Sequence, residues 1–393
     1  DVLVRRAVSH AIDKKAIVNG LYAGLAEVAV GPLPPNVFAA HPKLSDFDYD
    51  QELARELLQE AGYPEGFETT LWTMAGPRPY MPQPMRVAQV IQSDLAAVGI
   101  HARIISFEWG TYLDRVHRGH HDMALLGWQA DNGDPDNFLF VHFDKSAAVP
   151  PAGNIAFYRD ERVHELLLAG QRTVTPADRL PYYLEAQEII HRDVPMVPLV
   201  YTQKMIAHRN AFGPLTVEPV THPLLRLVET PVDGRLTFVR GTDSVKLDPA
   251  TVTDGESSKV VEQIYDNLIR FAPGTATIEP ALATAWTRSD DGRTWTFTIR
   301  EGVTFHDGTP LDAAAVVNAF ERQRDPSHPH HFEEHQYAYW LDLFAFVEKV
   351  EVGEVPMTVV FRCSDPAPPF FLQELAVFAM GIPSPAALEK HGA

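Results

Sequence analysis

Residues 281–322 read ALATAWTRSDDGRTWTFTIREGVTFHDGTPLDAAAVVNAFER, and their pattern sets the fold of the second half of the chain. Asp291-Gly292 is a two-residue turn signal, because the left-handed backbone of a tight hairpin suits Asp and Gly. Trp286 precedes it, and Trp295, Phe297 and Ile299 alternate after it, as in strands with one buried face. The polar turn His306-Asp307-Gly308-Thr309-Pro310 then leads into a helix expected at about 312–322, with Asp312 as N-cap. A further hairpin is expected over 346–362. Strands dominate this half.

Working outward, the first 205 residues alternate between helix and strand periodicity. Helices are expected over 4–19, 51–61, 85–98, 111–117 and 160–169. The 51–61 helix carries Leu53, Leu57 and Leu58 on one face and stops at Gly62, with Pro64 beyond. Another helix opens at Thr175-Pro176-Ala177-Asp178, a capping-box variant with Pro in the first turn. Strands are expected over 67–72, 100–107, 123–128 and 196–202. This alternation argues α/β architecture with some parallel pairing. The halves meet at Glu229-Thr230-Pro231-Val232-Asp233-Gly234, flanked by strand-like 224–228 and 236–240. No internal repeat or low-complexity tract is visible.

Length allows two or three domains. The charge sum of 33 − 52 = −19 speaks against nucleic acid as a partner and suits a cationic small molecule or simply a soluble, non-sticky protein. No run approaches the roughly 18 apolar residues that span a bilayer. The single cysteine, Cys363, leaves no intrachain disulfide and no Cys-rich metal site. Val4, Ala7, Val8, Ala11 and Ile12 already follow helical spacing and no signal sequence precedes them, so Asp1 is expected not to be a natural start.

The chemistry concentrates in residues 127–138, GWQADNGDPDNF. An apolar run, Met123-Ala124-Leu125-Leu126, gives way abruptly to Asp, Asn, Gly and Pro, which build tight polar loops. Asp131, Asp134 and Asp136 crowd together, and their repulsion calls for a compensating partner. A ligand ammonium, a Ca²⁺ ion and the loop's own amides all qualify. The spacing is not that of an EF-hand, which takes ligands at alternate positions and ends on Glu.

Residues 281–322 also carry a resemblance. The pattern Trp-x-Phe-x-Ile-Arg-x-Gly-Val-x-Phe-His-Asp-Gly-x-Pro-Leu resembles the signature region of the peptide-type (family 5) solute-binding proteins of ABC importers. Val4-Arg5-Arg6-Ala7-Val8 through Ile12-Asp13-Lys14, Gly31-Pro32-Leu33-Pro34-Pro35, Glu60-Ala61-Gly62-Tyr63-Pro64, Glu108-Trp109-Gly110 and the acidic loop match the same family. The resemblance covers nearly all of the chain, but in reversed order. Residues 236–393 resemble the family's N-terminal part and 1–228 its C-terminal part, and a stretch containing Gly-Thr-Gly-Pro-Phe is absent. The resemblance implies a periplasmic-binding-protein-like two-lobed α/β fold (class II, large peptide-binding type), circularly permuted and incomplete. It divides the chain into a ligand-anchoring lobe over 1–205, strands and seam over 206–250, and the family's N-terminal part over 251–393. It further implies a monomeric, noncatalytic, periplasmic or extracellular bacterial protein, membrane-associated, with no cofactor. Its partners would be a short dipeptide-like peptide and a membrane permease. Glutathione, haem, a nickel chelate or an opine would be the alternative solute.

By the same resemblance, Asp131 would bind the ligand's α-ammonium and Arg78, in Gly76-Pro77-Arg78-Pro79-Tyr80, its carboxylate. A carboxylate facing an ammonium makes a charge-assisted hydrogen bond, and a planar guanidinium grips a carboxylate through parallel N–H bonds. The bland alternatives are loop capping for Asp131 and a structural ion pair for Arg78. Tyr80, Trp109 and Trp128 would line the pocket, or else serve as ordinary core aromatics. Asp254-Gly255-Glu256-Ser257 matches a loop facing the ligand in the family, so Gly255, Glu256 and Ser257 complete the set. Asp134 and Asp136 are expected to be loop structure.

One motif points elsewhere. His331-Phe332-Glu333-Glu334-His335 fits H-x-x-E-H, which on a helix would place two His on one face for Zn²⁺ with Glu334 as base. Short patterns recur by chance in a chain with 17 His, so a zinc hydrolase stays a remote reading. His117, His120, His121 and Asp122 read as a solvated turn. No P-loop, G-x-S-x-G or G-x-G-x-x-G is present.

Overall fold

A parallel sheet and an antiparallel sheet of different origin organise the chain. The computed structural model describes all residues except 214, 230–233, 241–242 and 393. The expected junction at 230–233 and the terminal Ala393 therefore lie outside the described residues. Two units are distinguished, Asp1–Ala130 with Asp134–Lys204, and Asp131–Gly133 with Met205 onward.

In the first unit, α1 (Val2–Ala11) and α2 (Lys14–Leu21) replace the single helix expected over 4–19. Ile12 is extended (ψ 120°), and Asp13 caps α2 by accepting from Ala16 N, so a strong N-cap residue splits the run. After β1 (Ala26–Val28), α3 (Gln51–Glu60) starts at the Asp50 cap and stops before Gly62, whose φ of +88° suits only glycine well. β2 (Phe67–Met74), α4 (Pro84–Ala96) and β3 (Ile100–Phe107) form a β-α-β unit. α4 buries Val87, Ala88, Ile91 and Leu95 at helical spacing, each large side chain worth about 1.5–3 kcal/mol. α5 (Trp109–His117) leads to β4 (Met123–Ala124), and the sheet order is β3-β2-β4, all parallel.

The register of this sheet is pinned at its start. Gly66 has φ +74° and lies so close to Gly99 that a Cβ would sit 1.9 Å from the Gly99 carbonyl oxygen. Phe67 N donates to that oxygen at 3.1 Å, and pairing runs from Phe67↔Ile100 to Met74↔Phe107.

Beyond the sheet, α6 (Asp136–Phe143), α7 (Glu161–Arg172) and α8 (Pro176–Asp193) pack around Leu139, Phe143, Val163, Leu167, Tyr183 and Ile190. The sequence reading missed α6, because it opens inside the polar loop. β5 (Val200–Thr202) pairs antiparallel with β1. It is shorter than the strand expected over 196–202, since Pro198 has no N–H to give a ladder. Thr175 does not cap α8 as a capping box would; its hydroxyl bonds the Asp178 carboxylate instead.

The second unit is built on the opening stretch. After α9 (Gly255–Ile264) come β6 (Ile269–Phe271) and β7 (Ile278–Pro280), then β8 (Ala283–Arg288) and β9 (Thr294–Ile299), the expected hairpin. α10 (Ala313–Arg324) begins at Asp312, whose carboxylate accepts from Ala315 N. α11 (Ala338–Leu343), β10 (Val347–Val352), β11 (Thr358–Cys363), α12 (Phe371–Glu374) and α13 (Pro385–His391) complete it. The antiparallel order is β10-β11-β9-β8. Phe297, Phe320, Phe361 and Phe371 meet at edge-on or tilted angles in its core. The strands expected over 224–228 and 236–240 do not form. Leu225–Leu227 is a 3₁₀ turn, and its neighbourhood spends backbone donors on α9 side chains: His222 N on Glu262, Leu225 N on Gln263.

Candidate functional site

Arg78 stands in the loop after β2, and Trp109 opens α5 just after β3. Because the two strands end in register, their following loops emerge together. The Arg78 guanidinium lies over the Trp109 ring, 3.6 Å from its centroid. Pro77 and Pro79 restrict the backbone around Arg78, and a two-residue bridge to Met81 (3.0 and 2.9 Å) closes the turn. Trp109 also lies nearly parallel to buried Tyr112, 6.1 Å between centroids, and Glu108 caps α5 by accepting from Gly110 N. Arg78 has no ion-pair partner among the described residues, and its Nε is buried without a hydrogen bond. The structural ion pair that sequence left open for Arg78 is therefore not made.

Tyr80 follows in the same loop. Its carbonyl accepts from Tyr22 OH at 3.1 Å, and its ring lies flat against Gly127, where a Cβ would approach to 2.4 Å. Burial raises its phenol pKa, against the pull of a Gly127 hydrogen bond and of Arg78. The strand expected over 123–128 ends at Ala124. Leu125 N still reaches Trp72 O at 2.9 Å, and the chain then passes Tyr80. Trp128 donates its indole N–H to Asn137 Oδ1 at 2.9 Å and meets His142 edge-on at 4.9 Å; 40% of it is exposed. His142 is deeply buried, and burial holds its pKa down to about 4, so this ring is neutral.

The crowded carboxylates separate into different fates. Asp134 is buried and bonded by both arms of Arg179 at 2.6 and 2.8 Å. Arg179 also donates to Tyr183 OH (2.6 Å) and Gly170 O (2.9 Å). Burial works against the Arg179 charge, but the Asp134 bonds and charge more than offset it and raise its pKa. Asp136 accepts from Gln171 (2.9 Å) and Tyr183 OH (3.5 Å). Burial and the nearby Asp134 push its pKa up to about 7. The compensating cation is thus a residue of α8 that no spacing in the loop announced. In the second unit, Asp131 accepts from Tyr339 OH at 3.4 Å.

The start of α9 places the remaining expected residues. Asp254 caps the helix by accepting from Glu256 N and Ser257 N. Glu256 bonds Lys259 at 2.5 Å. Ser257 is fully buried, and its Oγ accepts from Val245 N and Lys246 N, which makes it part of the packing at the helix start. A Cβ at Gly255 would meet nothing.

The zinc geometry does not form. Residues 331–335 are irregular, with a turn at 333–334 and no helix, and His331 Nδ1 bonds the Arg322 carbonyl. No group of three His, Cys, Asp or Glu able to hold a metal occurs among the described residues. His121 and Asp122 are not simply solvated: His121 bonds Ile155 O, and Asp122 accepts from both Thr70 N and Thr70 Oγ1, tying β4's start to β2. No described helix is long and apolar enough to cross a membrane.

Comparison with known proteins places these features. The family profile described as Bacterial extracellular solute-binding proteins, family 5 Middle, matches residues 1–149 and 277–392. The chain is 38% identical over 213 residues to the dipeptide-binding protein of Pseudomonas aeruginosa, covering 54% of this chain and 38% of that protein. It is 36% identical over 216 residues to heme-binding protein A of Haemophilus influenzae, covering 55% and 38%. The crystal structure of a dipeptide binding protein from Pseudoalteromonas sp. SM9913 in complex with Met-Leu matches with a TM-score of 0.54 at 32% identity. It covers 58% of this chain and 45% of that one. The chain thus spans 38% of the length of each of these curated relatives.

Proposed function

This chain belongs to the family 5 bacterial extracellular solute-binding proteins, and from that premise we propose that it anchors a short peptide for delivery to the membrane permease of an ABC importer. The observation that carries this reading is Arg78. Its guanidinium lies over an indole, flanked by prolines, with no carboxylate of its own among the described residues. A cation fixed in this way has lost most of its rotamer freedom before a ligand arrives, which lowers the cost of binding. A peptide's terminal carboxylate supplies the planar acceptor it lacks. Tyr80 and Trp128 are proposed for the peptide's apolar flanks, and the family resemblance of the 127–138 loop is what nominates Asp131 for its ammonium.

The proposed action is binding without chemistry, outside the cytoplasm and as a monomer. The charge of −19 agrees with a soluble carrier that does not hold nucleic acid.

Calorimetry tests this with Met-Leu, Met-Leu amide and N-acetyl Met-Leu. Binding of the free dipeptide, weakened by either block, supports the reading; no heat with any free dipeptide overturns it. The similarity to heme-binding protein A favours one second reading, since haem propionates would also suit Arg78. A haem titration that saturates where dipeptides give no heat would establish it.

A further inference from the structure

We infer that Trp109 is a positioning residue that aims Arg78, rather than a wall of the pocket that touches the solute. This inference rests on the peptide reading and names which edge of the anchor receives the carboxylate. Trp109's ring face is already occupied by the guanidinium at 3.6 Å, and Tyr112 stacks on it at 6.1 Å between centroids. The face under the guanidinium is closed to a ligand side chain. The same stacking selects among the edges of the guanidinium. Nε is buried with no partner, so a carboxylate cannot take the side-on geometry that uses it without displacing the loop. The two Nη groups make no hydrogen bond within the described protein and keep access to solvent. The open edge is therefore the Nη1–Nη2 fork, which grips a carboxylate end-on through two parallel bonds.

Cation–π attraction holds this orientation and weakens when the ring is lost, in proportion to how far the pair is desolvated. Nothing else in the loop bonds the guanidinium. The neighbouring bridge to Met81 fixes only the backbone, so orientation of the fork depends on the indole.

The test separates aiming from walling. In Trp109→Ala, affinity for Met-Leu is expected to fall by about tenfold, while affinity for Met-Leu amide stays within about twofold of the unsubstituted protein. Trp109→Phe, which keeps an aromatic face, is expected to recover most of the loss. An equal loss for acid and amide, or no recovery with Phe, overturns the inference, because a wall residue or a folding defect affects both ligands alike. A second measurement needs no ligand. The Arg78 Nε–H resonance in ¹⁵N NMR is expected to be slow to exchange with water in the unsubstituted protein and in Trp109→Phe, and to exchange rapidly in Trp109→Ala. An unchanged exchange rate in Trp109→Ala overturns the inference even if no dipeptide binds, in which case the peptide reading fails separately.

Discussion

Arg179 and Arg78 sit in the same unit and have opposite lives. Arg179 is buried and spends every donor group: two arms on Asp134, one also on Tyr183, and Nε on Gly170. The Arg78 guanidinium spends none on the described residues, and lies on an indole instead. The first is a closed account of charge inside the protein; the second is open. The comparison explains why crowding of carboxylates in the 131–136 loop is a poor guide to a ligand. Asp134 already has its cation, so the crowding alone requires nothing from outside. The cation with no anion is the better pointer to a charged solute.

The contrast can be broken first where it is strongest. Arg179→Ala leaves a buried Asp134 without its partner, and is expected to cost ~3–5 kcal/mol of unfolding free energy. Urea denaturation measures this, and a loss below ~1 kcal/mol would show that the closed pair is dispensable. Asp136 titrates at about 7 in the fold, but near 3.9 when unfolded. Its carboxyl therefore contributes stability while protonated, fully below about pH 4, and loses it as pH rises toward about 7. Asp136→Asn, which mimics the protonated form, is expected to gain on the unsubstituted protein by on the order of 4 kcal/mol across that window. A stability difference that does not change with pH contradicts this. Gly127→Ala is expected to cost ~1–3 kcal/mol by forcing the Tyr80 ring away, read as a lowered denaturation midpoint. Arg78→Ala sharpens the comparison by its smallness: stability should stay within ~0.5 kcal/mol, while Met-Leu affinity falls by ~2 kcal/mol. A large stability loss would make Arg78 a second Arg179.

Much of this was legible in the sequence where the determining contacts are local. The hairpin around Asp291-Gly292, the Asp312 cap, and the strand over 100–107 rest on turn chemistry and periodicity within a few residues, and they form, although the hairpin connection is longer than two residues and only Gly292 of the pair takes a positive φ. Local reading failed where a short polar side chain competes, as at Asp13, which splits one apolar run into α1 and α2. It failed again over 224–228, where α9 side chains take the backbone donors that a ladder would use. The site divides the same way. Arg78 was singled out by the family resemblance of its loop, with Pro77 and Pro79 beside it. The partners of Asp134 and Asp136 were not, since Arg179, Tyr183 and Gln171 come from helices far along the chain. The stacking of Arg78 on Trp109 depends on two strands ending level, which one-dimensional periodicity cannot report.

That levelness is set at the far end of the sheet. Gly66 and Gly99 act as a gauge block, since a Cβ at Gly66 would collide with its neighbour's carbonyl oxygen. A slip of one residue between β2 and β3 would carry one loop about 3.3 Å past the other. From a starting separation of 3.6 Å, such a slip would stretch the contact to about 5–7 Å, against a cation–π reach of ~6 Å. The dimensional tolerance of the solute anchor is therefore about one residue, and it is machined by two glycines a whole strand of 8 residues away.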